Sequence, residues 1–240
     1  MDYLIPYLKN WVKWVRYDPR NLPHQVITCL RFYSEWMKTI KNERNSFLDN
    51  IPWITYDAYY FLESMLKPGM VVFEYGSGGS TFFYANKVEE LISTEHDEGW
   101  FIAVEAKINE LGVSNCKYNL IKPELNHQSD GFLNHNVLYS SYDTQYKDYN
   151  FENYVRSIEL FPDQYFDLVA VDGRARNACI RHAISKVKIK SYLMLDNSER
   201  DRYKEAKYLL RDWEKMAYFG PGPYNGYFWE TTFWRRISTL

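Results

Sequence analysis

Cysteine is scarce, and its three copies, Cys29, Cys116 and Cys179, are scattered without a CxxC pair. An odd, dispersed set excludes a disulfide framework and a cysteine metal site, and it predicts buried thiols. Glycine and proline are few, 11 and 9 in 240 residues, which excludes collagen-like and low-complexity classes. No apolar run approaches the roughly 18 residues of a membrane span. Asp2, Lys9, Lys13 and Arg16 interrupt the start, where a signal peptide would carry its apolar core. The expectation is a cytoplasmic protein with no transmembrane segment. A basic surplus is also missing: the formal net charge is -2, which argues against a nucleic-acid partner. Aromatic residues are plentiful. The 22 Tyr, 14 Phe and 8 Trp offer enough apolar surface to order one large domain.

Charge is uneven along the chain. Residues 45–172 carry 7 Lys and Arg against 20 Asp and Glu, whereas residues 173–215 carry 12 against 6. The basic stretch reads first as a set of solvated helix faces and, alternatively, as suited to an anionic ligand. Residues 1–51 read as an N-terminal helical extension. Within it, Leu4, Leu8, Trp11 and Val15 recur at helical spacing beside Lys9, Lys13 and Arg16. Such a helix packs on a core or docks on a membrane surface or partner. A second helix is predicted at 25–40.

From residue 52 onward, short β-rich runs alternate with helical stretches. Strands are predicted at 71–75, 91–95, 116–121, 166–172 and 191–196, with helices at 56–66, 80–86, 97–111, 151–160 and 175–188. A helix from 202 to about 214 and two closing strands, 216–219 and 227–236, flank the turn Gly220-Pro221-Gly222-Pro223. The pattern predicts an α/β fold: a Rossmann-like, mostly parallel sheet with helices on both faces and an antiparallel last strand. Ligands of such sheets bind at the carboxyl ends of the strands.

The most informative segment is Val71-Val72-Phe73-Glu74-Tyr75-Gly76-Ser77-Gly78-Gly79-Ser80-Thr81, an apolar strand entering a glycine turn that opens a helix. Glycines let the turn bend and let a ligand approach the main chain. Thr81 stands where a nicotinamide fingerprint would place its third glycine. Glu74, just before the turn, suits a cationic amine and repels a pyrophosphate. Glu95, 21 residues after Glu74, ends the next strand, where a carboxylate can accept from both ribose hydroxyls.

Over about residues 53–236 this arrangement resembles the class I S-adenosylmethionine-dependent methyltransferases, whose first motif reads acid-x-Gly-x-Gly-x and whose second strand ends in an acid. The resemblance implies that Glu74, Gly76, Gly78, Gly79 and Ser80 line the methionine half of S-adenosylmethionine, that Glu95 binds its ribose, and that His96 lies beside the adenine. The segment Phe166-Asp167-Leu168-Val169-Ala170-Val171-Asp172-Gly173 is similar to the family's fourth-strand motif, which places Asp172 beside the transferred methyl. Asp172 with Asp196 and Asn197 is similar to the magnesium ligands of metal-dependent O-methyltransferases, so magnesium is a further candidate cofactor. Those enzymes usually carry a Lys or His three residues after the first aspartate. Here Ala175 stands there, between Arg174 and Arg176.

Arginine stays protonated and is a poor base, but Arg174 and Arg176 can hold an anionic group or pair with carboxylates. His182 lies too far along its helix to act, which leaves His127 or His135 as the candidate base. Residues 122–164 exceed an ordinary connection and are rich in tyrosine, including Tyr139, Tyr142, Tyr146, Tyr149 and Tyr154. They form an acceptor pocket and lid or, alternatively, a permanent structural cap. The expected activity is methyl transfer to a hydroxyl of a small or medium-sized acceptor, a small molecule or a glycan-like one. A non-catalytic cofactor-binding scaffold and a nicotinamide-dependent oxidoreductase are the rivals.

Overall fold

The computed structural model describes residues 3–42, 44–125 and 138–238. Seven strands form the central sheet: β1 (Val71–Tyr75), β2 (Glu90–Glu95), β3 (Cys116–Leu120), β6 (Phe166–Val171), β7 (Val187–Asp196), β8 (Glu214–Gly220) and β9 (Trp229–Arg235). Their order is β3-β2-β1-β6-β7-β9-β8. β4 (Glu124–Leu125) and β5 (Tyr149–Asn150) pair separately. β9 runs antiparallel to both of its neighbours, and the other pairings in the large sheet are parallel. The nicotinamide-binding order 3-2-1-4-5-6 has no such inserted strand.

β1 and β6 are nearly continuous runs of apolar, β-favouring residues because helices cover both faces of the sheet. One face packs Phe73, Tyr75, Val169, Val171, Leu193 and Leu195 against α7 (Glu152–Arg156) and α8 (Arg176–Ala183). The opposite face packs Val72, Leu168, Ala170, Met194 and Phe233 against α4 (Tyr56–Met65) and α5 (Gly79–Ala85). α6 (Glu98–Glu110) follows β2, with Asp97 accepting from the Trp100 amide at 2.8 Å as its N-cap.

Most predicted elements match within a residue or two; the helix expected over 25–40 begins at Leu22, that over 151–160 is α-helical only to Arg156 and 3-10 from Ser157 to Leu160, and the strand expected from 191 begins at Val187. The helix expected over 175–188 yields at Val187, where β7 begins, and that expected over 202–214 shortens to α9 (Lys204–Leu209). The first gives way through a 3-10 turn over Ile184–Lys186, and past Leu209 the chain turns into the strand that begins at Glu214.

The N-terminal extension contains α1 (Leu4–Tyr17), α2 (Leu22–Lys41) and α3 (Ser46–Asp49). Its aromatic residues Tyr7, Trp14, Phe32 and Trp36 pack with Tyr56 and Phe228. The buried face of α1 is Tyr7, Asn10 and Trp14, whereas Leu4 and Leu8 are exposed. This corrects the predicted face. The helix turns its rings toward Phe219 and Phe228, and the Asn10 side chain donates to the Gly226 carbonyl at 2.7 Å. No helix among the described residues is long and apolar enough to cross a membrane. Cys29 and Cys179 are buried as free thiols, and Cys116 is half-buried.

Candidate active site

Parallel register brings the carboxyl ends of β2, β1, β6 and β7 into one row. Tyr75 is opposite both Thr94 and Val171, and Val171 is opposite Leu195. Just beyond those positions stand Glu95, Gly76, Asp172 and Asp196. Between β1 and β6 the chain direction of the sheet's winding reverses, which is where open α/β sheets form their binding crevice. The Gly76 amide donates to the Thr94 carbonyl and the Asp172 amide to the Tyr75 carbonyl, both at 3.0 Å. Gly76 has φ +92°, and an added Cβ would lie 2.6 Å from the Gly173 Cα. Glycine is required there both by its backbone angle and by the contact of two loops.

A cavity of about 310 Å³ opens over this row, lined by Gly76, Gly78, Gly79, Ser80, Glu95, His96, Asp172 and Arg174. Every predicted cofactor residue except Glu74 is on its wall. Ser46, Trp53, Ser77, Trp100 and Tyr146 also line it. The extension contributes Ser46, which sequence spacing did not indicate because it reaches the glycine turn only through the fold.

Glu74 is 1% exposed and lies beneath the turn, so the expectation that it touches the methionine half is corrected. Its carboxyl accepts from Thr81 Oγ1 at 2.7 Å, from Ser93 Oγ at 2.6 Å and from the Ser80 hydroxyl. Burial pushes Glu74 up to about 7, against the pull of those three hydroxyls. Folding therefore favours its protonated form. This stabilisation is complete below about 4.5, the ordinary value, and is lost as pH rises through about 7. The loss is on the order of 3 kcal/mol at about 1.4 kcal/mol per pH unit. Glu74→Gln, neutral at every pH, should flatten the decline in unfolding free energy between pH 5 and 8. Urea denaturation across that range checks it, and equal slopes in the two proteins contradict it.

Glu95 is also buried, but it remains charged. Burial raises it, yet the nearby His96 ring and the amides of Asp97 and His96 bring it below its ordinary range. Its Oε1 accepts from the His96 and Asp97 amides at 2.7 and 2.9 Å, and Oε2 from the Ser77 amide and hydroxyl at 3.0 and 2.9 Å. The Ser77 hydroxyl also lies 2.7 Å from the Tyr118 hydroxyl. His96 is packed against Tyr146, Phe151 and Tyr154, with its Nδ1 2.7 Å from Glu95 Oε1. Trp100 caps the turn by donating from Nε1 to the Ser77 carbonyl at 2.9 Å.

The predicted metal ligands meet an arginine. Arg176 is buried, and its Nη2 lies 2.7 Å from Asp172 Oδ1 and donates to the Asp172 carbonyl at 2.7 Å. Nη1 donates to the Asp196 carbonyl at 2.6 Å and to Asn197 Oδ1 at 3.5 Å, and Nε donates to the Gly173 carbonyl at 3.0 Å. Asp196 Oδ1 accepts from Trp229 Nε1 at 2.9 Å and from Thr231 Oγ1 at 2.6 Å. The expected magnesium set of Asp172, Asp196 and Asn197 is thus already joined by a cation, with Asp196 turned to the β9 side chains. These residues do not fit a hard dication that needs several free oxygens. The sequence signal was present in Arg176, but its direction into the row was not.

Asp172 is half-buried, with 36% of its side chain exposed at the cleft. Burial raises its carboxyl, opposed by Arg176, Arg174 and Arg200. Asp196 is raised by burial and by the charge of Asp172. A second cavity, about 270 Å³, adjoins the first and shares Trp53, Asp172 and Arg174 with it. Asn225, Tyr227 and Trp229 complete its far wall. Arg174 pairs with Asp143 at 3.1 Å and lies over the Tyr146 ring. His182 is held by Glu159 and Tyr139, away from the cleft. His127 and His135 lie outside the described residues.

The predicted lid divides. Tyr139, Phe151, Tyr154, Val155 and Ile158 belong to the main core, as a structural cap would. Gln145 and Tyr146 reach the first cavity.

No protein-family model and no curated protein matches the sequence. Among solved structures, an rRNA methylase from Streptococcus thermophilus aligns with a TM-score of 0.53 at 11% identity, over 76% of this chain and 96% of its own. An S-adenosylmethionine-dependent O-methyltransferase from Thermotoga maritima aligns at 0.51 and 12% identity, over 77% of this chain and 66% of its own. With its inserted antiparallel strand and glycine turn, the chain has the fold of the S-adenosylmethionine-dependent methyltransferases.

Proposed function

We propose that this protein transfers a methyl group from S-adenosylmethionine to a hydroxyl of a small or medium-sized acceptor. The observation that carries this reading is the convergence of the glycine turn, Glu95 and Asp172 on one cavity, with Asp172 opening into a second. Gly78, Gly79 and Ser80 give the methionine half access to the main chain. Glu95 accepts from the ribose hydroxyls, and Trp100 and Tyr146 offer rings to the adenine beside His96. The cofactor supplies a methyl group that its sulfonium already makes electrophilic. What is left to the protein is alignment, exclusion of water and removal of a proton.

Asp172 stands where the two cavities meet. Its carboxylate accepts a hydrogen bond from the acceptor hydroxyl and takes the proton. Its raised affinity for a proton favours that role over the one an ordinary surface aspartate could play. Arg176 fixes the carboxylate and supplies the positive charge that a metal would otherwise bring, so transfer should proceed without magnesium. The net charge of -2 favours a small acceptor over nucleic acid.

Incubation with methyl-labelled S-adenosylmethionine and a panel of hydroxylated acceptors tests the reading. Label should move to an acceptor, unchanged in rate by excess chelator. Tight cofactor binding with no transfer across the panel supports the non-catalytic scaffold, and complete loss of transfer in chelator restores the metal.

A further inference from the structure

A third cavity, about 190 Å³, lies behind the first and shares Gly173 and Arg174 with it. Among the described residues its wall holds four guanidinium groups, Arg174, Arg176, Arg200 and Arg202, against one lining carboxylate, Asp143. Two of the four are committed: Arg174 to Asp143 and Arg176 to Asp172. Arg200 has Glu199 only at 3.8 Å. Arg202 makes no ion pair among the described residues and instead lies over the rings of Tyr142 and Tyr203, at 5.2 and 5.3 Å. Among the described residues, the Nε atoms of Arg174 and Arg202 are both buried without a hydrogen-bond partner. Leaving such donors unmatched is unfavourable unless a ligand supplies the acceptors.

The geometry points to an oxyanion site: this arginine-lined cavity holds a phosphate group carried by the methyl acceptor. The inference rests on the methyl-transfer reading and narrows its acceptor to a phosphorylated hydroxyl compound. Forked guanidinium donors suit the several oxygens of a phosphate, and Arg202, whose charge meets no carboxylate among the described residues, leaves the cavity one positive charge in surplus. Stacking on Tyr142 and Tyr203 holds Arg202 in place, so little rotamer freedom is lost on binding. The cavity is several times the roughly 30 Å³ share of one water molecule, which leaves room for such a group. Arg174, on the walls of all three cavities, ties the anchored end of the acceptor to the carboxylate at Asp172.

Calorimetry with inorganic phosphate, in protein saturated with S-adenosylhomocysteine, tests the site. Phosphate should bind, and Arg202→Met should weaken it at least tenfold while changing S-adenosylhomocysteine affinity less than twofold. Arg211→Met, outside the cavity, should leave both unchanged. Arg202→Lys should recover part of the phosphate affinity, which a merely unfolded variant would not. The proposal is overturned if phosphate does not bind, if Arg202→Met binds it as well as the original protein, or if acetate competes equally. Any of these results with S-adenosylhomocysteine still bound leaves the methyltransferase reading standing; failure of S-adenosylhomocysteine itself to bind removes that reading instead.

Discussion

Gly78→Val is expected to abolish measurable binding of S-adenosylmethionine while leaving the fold intact. Gly78 has φ 168°, an extended conformation open to any residue. The nearest atom to an added Cβ is a Trp100 ring carbon at 3.9 Å, an ordinary contact. The added Cβ would therefore meet no protein wall, and the side chain would project into the cavity where the ligand approaches the main chain. A loss of at least a hundredfold, about 2.7 kcal/mol, is expected. Gly76→Ala should do the opposite and lower the melting temperature, since its Cβ collides with Gly173 at a backbone angle that disfavours a side chain. Calorimetry and thermal melts of both variants separate the two effects. Affinity in Gly78→Val within a few fold of the original would place the ligand elsewhere.

Arg176→Met should destabilise the protein by about 3 to 5 kcal/mol, the range for removing one partner from a buried charge cluster. It would strip donors from the carbonyls of Asp172, Gly173 and Asp196 and leave the Asp172 carboxylate without its closest counter-charge. Arg176→Lys should recover only a small part, because a single ammonium cannot reproduce a planar fork that bonds in three directions. Chemical denaturation gives the magnitude. A loss below about 1 kcal/mol would show that these groups find other partners and that the arginine is not what joins the strand ends.

Much of this was legible in the sequence because it is written in local patterns. Val71 to Tyr75 leads into Gly76, Gly78 and Gly79, and the spacing from Glu74 to Glu95 carries the chain across one helix to the neighbouring strand. Strand ends of a parallel sheet must lie side by side, so Asp172 and Asp196 could be placed in the same row from order alone. What the pattern could not supply was side-chain direction. Glu74 points beneath the turn toward Ser93 on the adjacent strand, and Arg176 points back along its own helix start to the carboxylate four residues earlier. Both depend on three-dimensional packing that has no one-dimensional period. The same holds for Ser46 and Trp53, which enter the cavity wall from before the first strand, and for α1, where aromatic contacts rather than aliphatic spacing choose the buried face.

Calorimetric titration of the full chain with S-adenosylhomocysteine, with NAD in parallel, tests the central claim most directly. The account predicts a single site per chain for S-adenosylhomocysteine, lost in Gly78→Val, and no heat of binding for NAD. Absence of S-adenosylhomocysteine binding in the folded protein, or tighter binding of NAD, would contradict it.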